Sequence, residues 1–330
     1  MNFLQSKLAA APVPQDVGSD PDDPASAFGL LLEGMRGAVP GALLTIVGID
    51  GGAPRSLGTH MAVLADGRYC GYVSGGCVEA AVAAEAMAVM RRGRDEVLRF
   101  GRNSPFFDIR LPCGGGIDVH VHVAPDRRLV ETALGGFAAR RVFDIAFDPG
   151  AGTARLLAAG DDAEAAFRRR YRPATRLLLF GQGNELAVAA ATARAAGIAT
   201  TAYAAGPGAL AAALRVGAEV AVLDAAALPE ADIDHWTAIV FLFHDHDAET
   251  SLLGAALESD AFYIGALGSR RTHAARVARL AAAGVTAQAI GRIRAPIGLI
   301  ERTREATPLA FSILADITRE RMRLEAAENS

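Results

Sequence analysis

The chain has 330 residues, of which 51% are apolar and 21% charged, with a formal net charge of -4; this fits about two globular domains with ample core and gives no support to nucleic-acid or membrane-surface binding. No apolar run reaches the ~18 residues of a membrane-spanning helix, and residues 1–14 show no basic leader with an apolar stretch behind it, so neither a membrane span nor a signal peptide is expected. The cysteines are Cys70, Cys77 and Cys113, without Cys-x-x-Cys spacing, which argues against a disulfide framework or a structural zinc site and fits a reducing cytoplasm.

In chain order, residues 1–25 are rich in proline and aspartate and are expected to form a mobile tail. A helix is predicted over 26–36 and a strand over 41–49. A Gly/Pro loop over 51–58 carries Arg55, and strands over 59–65 and 68–73 are joined by the hairpin signal Asp66-Gly67. The run Ser74-Gly75-Gly76-Cys77-Val78-Glu79 then leads into an Ala/Val/Met-rich helix over 78–90. Cys77 therefore sits near a helix N-terminus, where unpaired backbone N–H groups favour negative charge. The thiolate is the nucleophile and metal ligand; the competing reading is a small buried hydrophobe.

Cys113-Gly114-Gly115-Gly116 introduces a strand over 117–123, and Cys113 could converge with Cys77 on one site. Ile117, Val119, Val121 and Val123 share one strand face, and Asp118, His120 and His122 the other. Histidines two apart on a strand suit a metal pair. With no third ligand in view, a solvent-facing strand edge is the expectation.

Residues 125–173 read as a connector with a hairpin around Asp148-Pro149-Gly150-Ala151-Gly152. From residue 176 strands and helices alternate, with strands at 176–180, 198–203, 219–223, 238–243 and 262–264 and a last helix from Thr307-Pro308. That alternation predicts a doubly wound parallel sheet. The fold class is thus α/β: a tail over 1–25, an α+β domain over 26–124, a connector over 125–173 and a Rossmann-like domain over 174–330.

The turn Gly181-x-Gly183 can present backbone N–H groups to a phosphate. Leu186 holds the third glycine position, and no acid follows at 203–206, which argues against NAD(P). His244-Asp245-His246-Asp247 ends a strand and reads as metal ligands or as a hydrogen-bonded ligand-facing loop. Gly265-Ala266-Leu267-Gly268-Ser269-Arg270-Arg271 reads as an anion cradle with Ser269 and the pair Arg270 and Arg271 as donors, or as a solvated arginine face.

Taken together, Gly52-Ala53-Pro54-Arg55, Ser74-Gly75-Gly76-Cys77-Val78-Glu79, Cys113-Gly114-Gly115, Gly181-x-Gly183, His244-Asp245-His246, the Tyr263–Arg271 run and Ala295-Pro296-Ile297-Gly298-Leu299 form an ordered set. By this set the chain resembles the XdhC/CoxI family of maturation factors for molybdenum hydroxylases, over roughly residues 28–124 and 174–322. The resemblance implies a chaperone that binds the molybdenum cofactor (molybdopterin or its dinucleotide form), supports its sulfuration and delivers it to an apo molybdenum hydroxylase. The client would be of the xanthine dehydrogenase or carbon monoxide dehydrogenase type. A cysteine desulfurase partner and a homodimer come with the same resemblance.

On that reading Cys77, flanked by Gly75 and Gly76, contacts molybdenum or sulfur, and Arg55 contacts anionic oxygens. Cys113, Gly181, Gly183, His244, Ser269 and Arg270 complete the cofactor-binding set. The chain departs from the family pattern at Asn184, at Ile300-Glu301-Arg302 and at the missing acid near Ala204. An NAD(P)-dependent oxidoreductase and an interaction scaffold with a degenerate nucleotide domain are the alternatives.

Overall fold

The computed structural model describes residues 12–18, 23–76, 78–106, 111, 114–158, 161, 167–204, 211, 219–222, 228, 233–243, 247–300, 303 and 305–328. The chain divides into two compact units, with the boundary between Pro173 and Ala174.

In the first unit, β1 (Gln15–Asp16) precedes α1 (Pro24–Arg36), β2 (Gly41–Asp50), β3 (His60–Leu64) and β4 (Arg68–Gly71). Then come α2 (Glu79–Arg92), β5 (Glu96–Gly101) and β6 (Gly116–Val123). The strands form one sheet in the order β1-β4-β3-β2-β6-β5. Asp23 caps α1 by accepting from the Ala25 N–H, with Pro24 opening the helix. Both faces of the sheet are covered. Val82, Ala83, Ala86 and Val89 of α2 pack with Leu44, Ile46, Val119 and Val121 on one side. Alternation sends Leu43, Ala62 and Leu64 to the other side, against Phe28 and Leu31 of α1.

Residues 125–173, expected as a connector, instead form a second layer of this unit. They comprise α3 (Arg127–Ala138), β7 (Phe143–Asp148), β8 (Thr153–Leu157) and β9 (Phe167–Tyr171), with sheet order β8-β7-β9. Ile145, Phe147 and Tyr171 enter the same core as Phe28 and Leu43. The arginine run that suggests a solvated lead-in follows strand alternation: Arg168 and Arg170 both pair with Asp144, while Tyr171 is buried. Within the segment expected as a tail, Gln15–Asp16 pair in parallel with Arg68–Tyr69, and the Tyr72 hydroxyl donates to Asp16 at 2.5 Å.

The second unit runs β10 (Arg176–Gly181), α4 (Gly183–Ala195), β11 (Ala199–Ala204), β12 (Glu219–Val222), β13 (Thr237–Leu242), α5 (Asp247–Glu258) and β14 (Tyr263–Ala266). It ends with α6 (Arg270–Ala282), α7 (Ala287–Ile290), β15 (Ile293–Arg294) and α8 (Ala306–Glu328). The sheet order β12-β11-β10-β13-β14-β15, parallel throughout, is that of a doubly wound dinucleotide-binding fold. Its strands are near-continuous apolar runs because both faces are covered. Leu177, Leu179 and Val240 pack with residues of α4 and α8 on one face, and Leu178, Phe180 and Phe241 with residues of α5 and α6 on the other. Among the described residues, no helix is long and apolar enough to cross a membrane.

Candidate functional site

The first candidate site is the loop between β4 and α2. Glu79, the first residue of α2, is 2% exposed. One of its carboxylate oxygens accepts from both the Ser74 N–H and the Ser74 hydroxyl, each at 2.7 Å, and the other accepts from the Val78 N–H at 3.1 Å. A buried carboxylate needs such donors, and these close the loop between Ser74 and Val78. Gly75 and Gly76 stand at its exposed tip, and a Cβ placed on either would meet no atom of the described residues within 4 Å. Gly76 has φ +96°, a conformation that favours glycine. The loop thus presents open backbone next to Cys77, which lies outside the described residues, as does Cys113. The Glu79 charge in the first turn complements the positive end of α2. Any thiolate there therefore shares the helix terminus with an existing carboxylate.

The Arg55 loop and the glycine run after Cys113 meet through backbone. The Gly52 carbonyl oxygen lies only 1.9 Å from where a Cβ of Gly115 would sit, so Gly115 admits no side chain. Val73 and Val78, which flank the cysteine loop, share one apolar cluster with Leu111, and Ala53 packs against it. The three motifs of the first unit therefore rest on one patch of core. Arg55 is half-buried in its loop.

In the second unit, a cleft of about 600 Å³ opens beyond the carboxyl end of β14 and is lined by Gly268, Ser269, Arg270, Gly298, Thr303 and Arg319 among others. Ser269 caps α6, its hydroxyl oxygen accepting from the Thr272 N–H at 3.2 Å. This cleft places the positive end of α6 and Arg270 where an anion would bind; the other guanidinium in its lining, Arg319, is ion-paired with Asp316 and Glu320. Gly181 and Gly183 are not among its lining residues. They form the β10–α4 turn, where a Cβ on Gly181 would lie 2.5 Å from the Leu242 carbonyl oxygen. Leu186 is fully buried in the core, which explains a large residue at the third glycine position. At the end of β11, Tyr203 stacks on Phe180 at 4.7 Å.

A family model described as the XdhC Rossmann domain matches residues 177–317, and one described as the XdhC and CoxI family matches residues 35–101. Over 308 residues the chain is 36% identical to the molybdenum cofactor insertion chaperone PaoD of Escherichia coli (strain K12), covering 92% of this chain and 91% of that protein. The chain belongs to the XdhC/CoxI family. A crystal structure of a protein named as a xanthine dehydrogenase, from Bacillus halodurans at 2.80 Å resolution, superposes with a TM-score of 0.68 over 90% of this chain and 96% of that one. At 20% identity that likeness shows the fold alone.

Of the expected site residues of this XdhC/CoxI protein, Gly75 and Gly76 share the glutamate-closed loop, Arg55 is half-buried in a loop whose Ala53 packs on the same core patch as Val73 and Val78, and Ser269 and Arg270 share the second-unit cleft. His244, with Asp245 and His246, lies outside the described residues. Cys70 is a structural thiol: it is buried, donates to the Ser26 carbonyl oxygen at 3.3 Å, and is pushed by burial up to about 12.

One expectation is overturned. His120 and His122 do not face solvent; both are buried. The third group comes from Asp95, in the α2–β5 turn, whose one oxygen lies 2.8 Å from His120 Nε2 and 2.7 Å from His122 Nδ1. Burial works to raise the Asp95 pKa, but the Val123 N–H and the two imidazoles outweigh it and hold the carboxyl below its usual range. Burial keeps His120 below its ordinary value. Asp118 pairs instead with Arg99, which also bridges to Asp50, both at 2.9 Å.

Proposed function

We propose that this protein is a molybdenum cofactor chaperone that carries the cofactor to an apo molybdenum enzyme. The observation that carries this reading is the 36% identity, across 92% of the chain, to a protein named as a molybdenum cofactor insertion chaperone. The chemistry of the two units supports it. The open tip at Gly75–Gly76 gives a bulky cargo room beside a soft sulfur ligand, Cys77. The cleft with Ser269 and Arg270 offers positive charge and a helix N-terminus to a pterin phosphate, or to the pyrophosphate of the dinucleotide form. Cys113 and His244 belong to the proposed set by sequence, and Gly183 at the start of α4 offers a second phosphate position.

The finer reading is that the client is of the xanthine dehydrogenase or carbon monoxide dehydrogenase type. The chaperone supports exchange of an oxo for a sulfido ligand with sulfur supplied by a cysteine desulfurase, and it works as a cytoplasmic homodimer. No residue is assigned a turnover of its own: the chain binds, shields and releases its cargo.

The test is stoichiometric. The purified protein is mixed anaerobically with the cofactor in each form and desalted, and molybdenum and oxidised pterin are quantified per chain. Near-equimolar retention that falls with Cys77→Ala supports the reading. Absence of both, where a known carrier retains both, overturns it, and a melting rise of several degrees with NAD or NADP would redirect it to the oxidoreductase alternative.

A further inference from the structure

We propose that Asp95, His120 and His122 form a binding site for a zinc-class divalent cation that fastens the α2–β5 turn to strand β6. One candidate ligand atom from each residue lies within 4.8 Å of the other two. The three come from different constraints. His120 and His122 are alternate residues of β6 and so project from the same face. Asp95 stands in the turn just past Gly93, which ends α2. The β7–β8 turn closes the group from above: a Cβ on Gly152 would touch the Asp95 side chain at 3.7 Å, and Asp148 of that turn is close enough to act electrostatically on the His120 ring.

The charge balance points to a cation. The Asp95 side chain is only 6% exposed, yet among the described residues its ion-pair partners are the two imidazoles, with no arginine. Elsewhere in this unit Asp144 is matched by Arg168 and Arg170, and Asp118 by Arg99. A carboxylate taken out of water requires a counter-charge or a metal. Two imidazole nitrogens and a carboxylate oxygen are a donor set that suits zinc, with a fourth position left for water or a further carboxylate.

Binding conserves protons. Each imidazole nitrogen that now donates to Asp95 must present a lone pair to the cation: a neutral ring takes up its proton on the other nitrogen, and a protonated ring releases one proton to solvent. In His120 that other nitrogen, Nδ1, carries the lone pair of the tautomer that donates to Asp95 and can take the proton; it is buried and without a hydrogen-bond partner among the described residues, so the resulting N–H sets a cost against the metal's binding energy. The site uses none of the residues assigned to the cofactor and does not depend on the chaperone reading.

The experiment uses the full chain, stripped with chelator and titrated with Zn²⁺ against a chromogenic competitor, then desalted for metal analysis. A Co²⁺ derivative reports the ligand type. The expected result is one Zn²⁺ per chain, a melting temperature raised by zinc, and Co²⁺ bands of a nitrogen/oxygen site without thiolate charge transfer. Retention should survive in the Cys77→Ser, Cys113→Ser double variant, which separates this site from the cysteine loop. Changing even outer-shell partners costs ~10–100-fold in metal affinity, so Asp95→Asn, which keeps an acceptor for the Val123 N–H, should lose at least about 100-fold, and His122→Gln likewise. Circular dichroism confirms that both variants are folded. No retention by the parent chain, retention unchanged in the folded variants, or retention lost with the cysteines overturns the site and leaves a purely hydrogen-bonded triad.

Discussion

The Glu79 carboxylate takes both hydrogen-bond donors of Ser74, the backbone N–H and the side-chain hydroxyl, at 2.7 Å each. A residue at the start of α2 thereby fixes the entrance of the loop it follows, and the Val78 N–H fixes the exit. Removing the acceptor leaves buried donors unpaired, at roughly 1–3 kcal/mol each. With three donors involved, Glu79→Ala should therefore lower unfolding free energy by at least about 3 kcal/mol, measured by urea titration. Ser74→Ala, which loses only the hydroxyl bond, should cost about 1 kcal/mol. In Glu79→Gln one amide nitrogen must face N–H donors, so molybdenum retention should fall further than in Ser74→Ala. Equal retention in all three variants would show that the loop's shape is not held by this carboxylate.

His60 gives a pH prediction. It is fully buried, with Nδ1 3.0 Å from the Thr45 hydroxyl and Nε2 2.5 Å from the Tyr171 hydroxyl. Burial, helped by the charge of Arg169, lowers its pKa from 6.5 to about 3. Below an unfolded-state pKa of about 6.5 the unfolded chain binds a proton that the folded chain refuses. The stabilisation is thus complete above that pH and is lost as pH falls toward the folded value, by about 1.4 kcal/mol per unit. His120 and His273 are shifted in the same direction, so the parent alone does not isolate His60. The difference between parent and His60→Gln does: the variant's melting temperature should fall less steeply between pH 6.5 and 4.5. Parallel curves would remove His60 as the cause.

Much of this molecule was legible in its sequence. The parallel sheet from Arg176 onward follows from alternating apolar runs, and Asp66-Gly67 marks the β3–β4 hairpin. What escaped is what depends on distant partners. His120 and His122 read as a strand edge because Asp95 lies across an antiparallel register, in which β5 pairs with β6 from Glu96 opposite Val121. Residues 125–173 read as a connector because Tyr171 and Phe147 declare themselves as core only when β3 and α1 lie against them. Glu79 stands in the sequence only as the last residue of the Ser74–Glu79 run; that it turns back to Ser74 is a property of the closed loop.

Arg276 and Glu249 tie α6 to α5 beneath the second-unit cleft. They are 2% and 1% exposed, with the guanidinium 3.0 Å from the carboxylate and 2.7 Å from the Leu267 carbonyl oxygen. Breaking such a buried pair strands a charge and costs about 3–5 kcal/mol. Arg276→Ala should show that loss in urea. The Arg276→Met, Glu249→Leu pair should recover most of it, because no charge remains buried. Leu267 lines the cleft, so loss of its carbonyl partner should weaken ligand retention even in the recovered pair. A double variant as unstable as Arg276→Ala would contradict this account.

Gly298 isolates the cleft wall from general stability. It has φ +91°, and a Cβ there would lie 2.3 Å from Ser312 Oγ, the atom that accepts from the Ile300 N–H at 2.8 Å. Gly298→Ala therefore carries two costs: backbone strain, and displacement of the serine that staples the 298–300 wall to α8. Gly284 has a similar φ of +89° but open space around its Cβ position, so Gly284→Ala carries strain alone, about 1 kcal/mol. Overpacking adds about 1–3 kcal/mol, so Gly298→Ala should be destabilised by that much more than Gly284→Ala. It should also lose retention of a phosphate-bearing ligand, while Gly284→Ala retains it. If both alanine variants kept the ligand equally, the cleft would not be where the phosphate binds, because the one wall that contacts Ser312 would have moved without effect.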